Sequence, residues 1–115
     1  MRPDAEEILR LILARLDEMK AEDTLTIDLR DKSSIGDYMV IASGRSQRHV
    51  GSVADRVVED LHKAGVAARV EGVPHCDWVL IDAVDVIVHV FRPEVRAFYN
   101  LEKMWLGSRP AQRAS

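Results

Sequence analysis

WVLIDAVDVIVHVFRPEVRAFYNLEKMW, residues 78–105, holds both tryptophans, both phenylalanines and one of the two tyrosines of the chain. Its pattern predicts a strand over Trp78–Asp82, a tight turn, a second strand over 84–91 and a helix opened by Pro93, where a missing N–H costs nothing. On the second strand Val84, Val86, Val88 and Val90 share one face and Asp85, Ile87, His89 and Phe91 the other, because successive side chains alternate. The valine face belongs to the core, and the mixed face is half-covered or meets a partner. Only Ala83 and Val84 separate Asp82 from Asp85. Both residues resist φ > 0 and make a poor primed turn, which leaves a longer turn open. On the helix, Val95, Phe98 and Leu101 can turn inward. Tyr99, Glu102 and Trp105 spread over too wide an arc for all of them to follow.

The rest of the chain reads as the platform for this block. Asp4 and Glu7 form a capping-box pattern, followed by Ile8, Leu9, Ile12, Leu13, Leu16 and Met19 at helical spacing. Leu25, Ile27 and Leu29 alternate with Thr26 and Asp28, so 24–29 is a half-buried strand, followed by a turn-rich 30–36. YMVIA (38–42) has the continuous apolar run of a central strand covered on both faces. Ser46 caps a helix with the stripe Val50, Val53, Ala54, Val57, Val58 and Leu61, and Gly65 stands where a C′ residue belongs. A short strand over 67–70 completes a strand–helix–strand crossover, which predicts that its two strands are parallel. The loop 71–77 returns the chain to the sheet.

With 115 residues, 47% of them apolar, the chain has material for one core: a domain over 1–106 and a polar tail, 107–115, expected to be disordered. A net charge of −3 lacks the basic stripe that nucleic acid demands and suits a basic protein partner better. Cys76 is the single cysteine, so no internal disulfide forms. The carboxylates of MRPDAEEILR are foreign to a signal or transit peptide, and no run approaches a membrane span, so a cytoplasmic protein is expected.

Candidate chemistry is thin. Asp82 and Asp85, with Ser43-Gly44 before a helix, offer the alternative of a divergent nucleotidyltransferase holding Mg²⁺. The two carboxylates are three residues apart across a turn, and no glycine-rich loop with a lysine accompanies them. His75, Cys76 and Asp77 are adjacent, and neighbours in sequence rarely converge on one ion. Nothing joins Cys76 to His49 or His89 as a nucleophile pair, and His62 near a helix end is unremarkable. His89 on a mixed strand face reads as a satisfied, half-buried side chain. No cofactor, metal or catalytic set is therefore expected. Trp105 alone is as well read as a core lid, but Trp78, Tyr99 and Trp105 together mark a protein interface.

Taken as a set, SSIGDYMVIASGRSQRHV, EG followed by WVLID, DVIVHVF and R-x-x-Y-x-L-E-x-x-W resemble the ribosomal silencing factor family, the Iojap-like proteins, from about Leu9 to Trp105. Two positions depart from its pattern: Val84, where the family has glycine, and Ala83, where it favours a larger residue. The resemblance implies an α/β fold, a mixed sheet of about five strands packed with helices, similar to the nucleotidyltransferase fold without its active site. It implies binding to the large ribosomal subunit through the basic ribosomal protein uL14 at the intersubunit face. The subunits would be held apart sterically and translation repressed when nutrients are scarce. On this expectation Trp78, Tyr99, Leu101 and Trp105 form the apolar centre of the contact, and Asp82, Asp85 and Glu102 meet basic residues on the partner. The same edge could close a homodimer.

Overall fold

The computed structural model describes residues 4–30, 36–72 and 77–94. Within them, two helices lie on one side of a five-stranded mixed sheet: α1 (Ala5–Glu18), β1 (Glu22–Asp28), β2 (Tyr38–Ser43), α2 (Gln47–Lys63), β3 (Arg69–Glu71), β4 (Trp78–Asp82) and β5 (Val86–Phe91). The capping box opening α1 is complete. The Asp4 carboxylate accepts from the Glu7 N–H at 2.9 Å, and the Asp4 N–H donates to Glu7 Oε1 at 3.0 Å. Ser46 caps α2 by accepting from the His49 N–H, and Gly65 follows that helix at φ +87°, the left-handed C′ geometry expected of it.

The sheet order is β1-β2-β5-β4-β3, with β2 and β5 parallel and every other pair antiparallel. The parallel sense predicted for the two strands of the crossover holds, but they are not neighbours, because β5 and β4 lie between them. Among the described residues, strand β3 is an edge strand that pairs with β4 alone. It covers Arg69–Glu71 rather than 67–70.

All six residues of β2 are buried, and the strand serves two cores. On the helix side, Tyr38, Val40 and Ala42 join Ile8, Ile12 and Leu16 of α1, the α2 stripe, Val79 and Ile81 of β4, and Val86, Val88 and Val90 of β5. On the opposite side, Met39 and Ile41 pack with Ile27, Leu29 and Phe91, flanked by Leu25 and Trp78. Neither described helix contributes to this second cluster. The two helices are joined across their surface by Asp60, which accepts from Arg15 and, at 3.0 Å, from Arg56 Nε; Arg56 also reaches Glu18 at 3.1 Å. His49 adds a second tie. Its Nδ1 accepts from the Arg45 N–H, and its Nε2 donates to the Met19 carbonyl at 2.7 Å.

The β4–β5 hairpin turns one residue later than the sequence suggests. Ala83 N–H donates to the Val86 carbonyl, so Val84 and Asp85 are the turn residues. The turn is thus displaced rather than lengthened. Val84, expected on the core face of a strand over 84–91, is instead at the tip with φ +73° and is 42% exposed.

Candidate functional site

Alternation along β4 puts Trp78, Leu80 and Asp82 on the sheet face away from the helices, and Ile87, His89 and Phe91 of β5 share it. The ladder sets Phe91 directly opposite Trp78 and His89 directly opposite Leu80. The indole of Trp78 reaches diagonally across it. Trp78 Nε1–H donates to His89 Nδ1 at 3.0 Å, with ring centroids 5.9 Å apart. Phe91 closes the group at 5.8 Å from Trp78 and 6.4 Å from His89. Diagonal contact of this kind is within reach of aromatic side chains.

This hydrogen bond fixes the imidazole. Nδ1 must carry its lone pair, so the neutral ring holds its proton on Nε2. Burial acts in the same direction, pushing the His89 imidazole down from its ordinary 6.5 to about 4. The imidazole is therefore uncharged at neutral pH. Beside the rings lies a recess of about 260 Å³, lined by Glu71, Gly72, Trp78, Leu80 and His89. Gly72 is required there. It sits at φ +102°, and a Cβ on it would come within 2.1 Å of the Trp78 carbonyl oxygen.

The expected acidic residues sit at the far end of the same hairpin. Asp82 closes the face of β4, and its Oδ1 accepts from the Val84 N–H at 3.0 Å. The Asp85 carbonyl accepts from the N–H groups of Asp37 at 2.7 Å and Tyr38 at 3.2 Å, which clasps the turn against the start of β2. Asp82 thus has a structural task that needs no metal ion. Among the described residues no group of three or more His, Cys, Asp or Glu side chains converges to hold one. Of the seven anticipated site residues, Trp78, Asp82 and Asp85 are brought onto one hairpin. Tyr99, Leu101, Glu102 and Trp105 lie outside the described residues, as do His75, Cys76, the tail 107–115 and the last helix beyond Glu94.

The family model described as ribosomal silencing factor during starvation matches residues 2–115. The chain belongs to the ribosomal silencing factor family. The ribosomal silencing factor of Zymomonas mobilis is 52% identical over 103 residues, covering 89% of this chain and 77% of that protein. The Bacillus subtilis factor is 37% identical over 101 residues, covering 87% and 86%. A crystal structure of a Chromobacterium violaceum protein superposes with a TM-score of 0.87 at 36% identity, covering 90% of this chain and 87% of that one.

Membership of the silencing factors gives the sheet face a context that sequence reasoning saw in part. Leu80, Glu71 and Gly72 were not anticipated there. For Leu80 the signal was present, since it lies two residues from Trp78 on a strand. For Glu71 and Gly72 it was not, because their place beside the indole depends on β3 pairing with β4. Among the described residues no helix is long and apolar enough to cross a membrane.

Proposed function

We propose that this chain binds the large ribosomal subunit through the basic ribosomal protein uL14 at the intersubunit face. There it would obstruct joining of the small subunit and repress translation when nutrients are limiting. The role is regulatory and non-enzymatic, exerted in the cytoplasm by occupancy. The observation that carries this reading is membership of the silencing-factor family, in a chain that sets the half-buried Trp78 on the sheet face opposite its two described helices. Aromatic anchors at the centre of a patch, with charged residues at its rim, are the usual anatomy of a protein interface. Trp78, Tyr99, Leu101 and Trp105 supply the anchor in this reading. Asp82, Asp85 and Glu102 supply rim charge for lysines and arginines of the partner.

Co-sedimentation with purified large and small subunits, taken separately at physiological salt, tests the proposal. Pelleting with the large subunit alone, and fewer intact ribosomes when both subunits are mixed with the protein, is the expected result. Pelleting with neither subunit overturns it. Concentration-dependent sedimentation of the protein by itself reports whether the same face also closes a homodimer.

A further inference from the structure

We propose that His89 is a positioning residue for partner binding: it holds the Trp78 indole in its binding orientation without itself touching the partner. The inference rests on the reading of Trp78 as a contact residue. It goes beyond that reading by assigning a role to a side chain that the chemistry of the chain otherwise leaves unused.

Three observations carry it. Trp78 Nε1–H donates to His89 Nδ1 at 3.0 Å, a bond that selects one orientation of the indole about its side-chain torsions. The imidazole is in turn set by its strand. It lies opposite Leu80 on β4 and Ile41 on β2, and it stacks toward Phe91 with an interplanar angle of 27°. The recess then provides room beside the indole, bordered by Glu71, Gly72, Leu80 and His89 itself. A large aromatic that is held before binding loses less rotamer freedom on complex formation, which is how preorganisation raises affinity. Leucine in place of His89 would fill similar space while leaving the indole N–H without this acceptor. Asparagine would place Oδ1 near the position of Nδ1 and keep an acceptor there.

The test uses the full chain and purified large ribosomal subunits. The Trp78 indole N–H resonance is assigned by its loss in Trp78→Phe, and subunit affinity is measured by co-sedimentation. His89→Leu is expected to melt cooperatively, to shift that resonance, and to bind about tenfold more weakly. His89→Asn is expected to restore both resonance and affinity to within about threefold. In the Trp78→Phe background, His89→Leu is expected to have no further effect on binding. The proposal is overturned if His89→Leu binds within twofold of the native chain. It is equally overturned if binding falls while the indole resonance stays in place, or if the losses from Trp78→Phe and His89→Leu simply add. Should His89→Leu fail to fold, His89→Asn and His89→Gln decide the matter. Only asparagine places its acceptor near Nδ1, and equal binding by the two variants sinks the idea. Absence of binding by the native chain is a different failure, since it removes the ribosomal reading itself.

Discussion

The Asp82 carboxylate and the Val84 backbone are locked together at the hairpin tip. Asp82 Oδ1 accepts the Val84 N–H at 3.0 Å while Val84 is held at φ +73°. The Asp85 N–H donates to the Ala83 carbonyl at 2.8 Å, so the chain reverses around Val84 within three residues. A β-branched side chain is strongly disfavoured at positive φ, and the strain persists because the flanking ladder and the Asp82 bond over-determine the turn.

Val84→Gly should therefore stabilise the protein. Relief of the strain exceeds the entropy that glycine adds to the unfolded chain, leaving a net gain of about 1 kcal/mol. Urea denaturation of the two proteins checks this, with a higher midpoint and an unchanged slope expected for the variant. A lower midpoint would mean that the exposed valine is packed against something that outweighs its backbone strain.

The same turn shows what the sequence disclosed and what it withheld. Helix stripes and strand alternation depend on local periodicity, so α1, α2 and the buried β2 were legible, as were the two faces of β5. Pairing is not local. A turn at Ala83-Val84 would have set Asp82 against Asp85, whereas the turn at Val84-Asp85 sets Asp82 against Ile87. That slip of two residues keeps every side chain on its face but moves His89 from opposite Trp78 to the diagonal. Either register keeps His89 within reach of Trp78, so the indole–imidazole bond was hidden not by the slip but by side-chain orientation, which strand alternation does not specify. The separation of β3 from β2 was hidden likewise, because short strands carry little information about which neighbour they choose.

The α1–α2 junction should fail when Asp60 is replaced. Its carboxylate is 13% exposed and is held between Arg15 and Arg56, whose hydrogen bonds keep it below the ordinary carboxylate range. Asp60→Ala removes a shared partner from two arginines on different helices, so the loss exceeds that of a solvated surface pair. A lower urea midpoint is expected, and a midpoint equal to that of the native chain would show that the cluster is merely solvated charge. Because the folded carboxylate is the stronger acid, its contribution is present above about pH 4 and disappears as pH falls through its lowered pKa.

His89 gives stability a separate pH dependence. Its folded pKa is depressed to about 4 by burial, while the unfolded imidazole takes a proton from about pH 6.5 downward. Between those values the unfolded chain binds more protons, so stability is full above pH 6.5 and falls as pH is lowered toward 4. The integrated loss is about 3 kcal/mol. Below pH 4 both states are protonated at this site and His89 costs nothing further. Thermal melts between pH 7 and 4 should show this slope in the native chain. His89→Leu should flatten it and leave the acid loss attributed to Asp60. An unchanged slope in that variant would assign the titration to another group.

Binding should divide unequally between the anchor and the rim. Trp78→Ala removes a large aromatic from the centre of the proposed contact and should cost about 2 kcal/mol, roughly thirtyfold in affinity for large subunits. Asp82→Asn is the informative rim variant, because asparagine retains the oxygen that accepts the Val84 N–H and leaves the turn intact. It removes only the charge. Its effect should be confined to the association rate and to a shallower dependence of that rate on salt, with affinity at physiological salt changed by less than about twofold. Asp85→Asn should behave alike, since the hydrogen bonds that clasp the turn use the Asp85 carbonyl rather than its side chain. Association and dissociation rates measured on immobilised large subunits over a range of salt separate the two classes. If Asp82→Asn instead speeds dissociation as strongly as Trp78→Ala, the carboxylate lies in the desolvated centre of the contact, and the hairpin tip rather than the indole is the anchor.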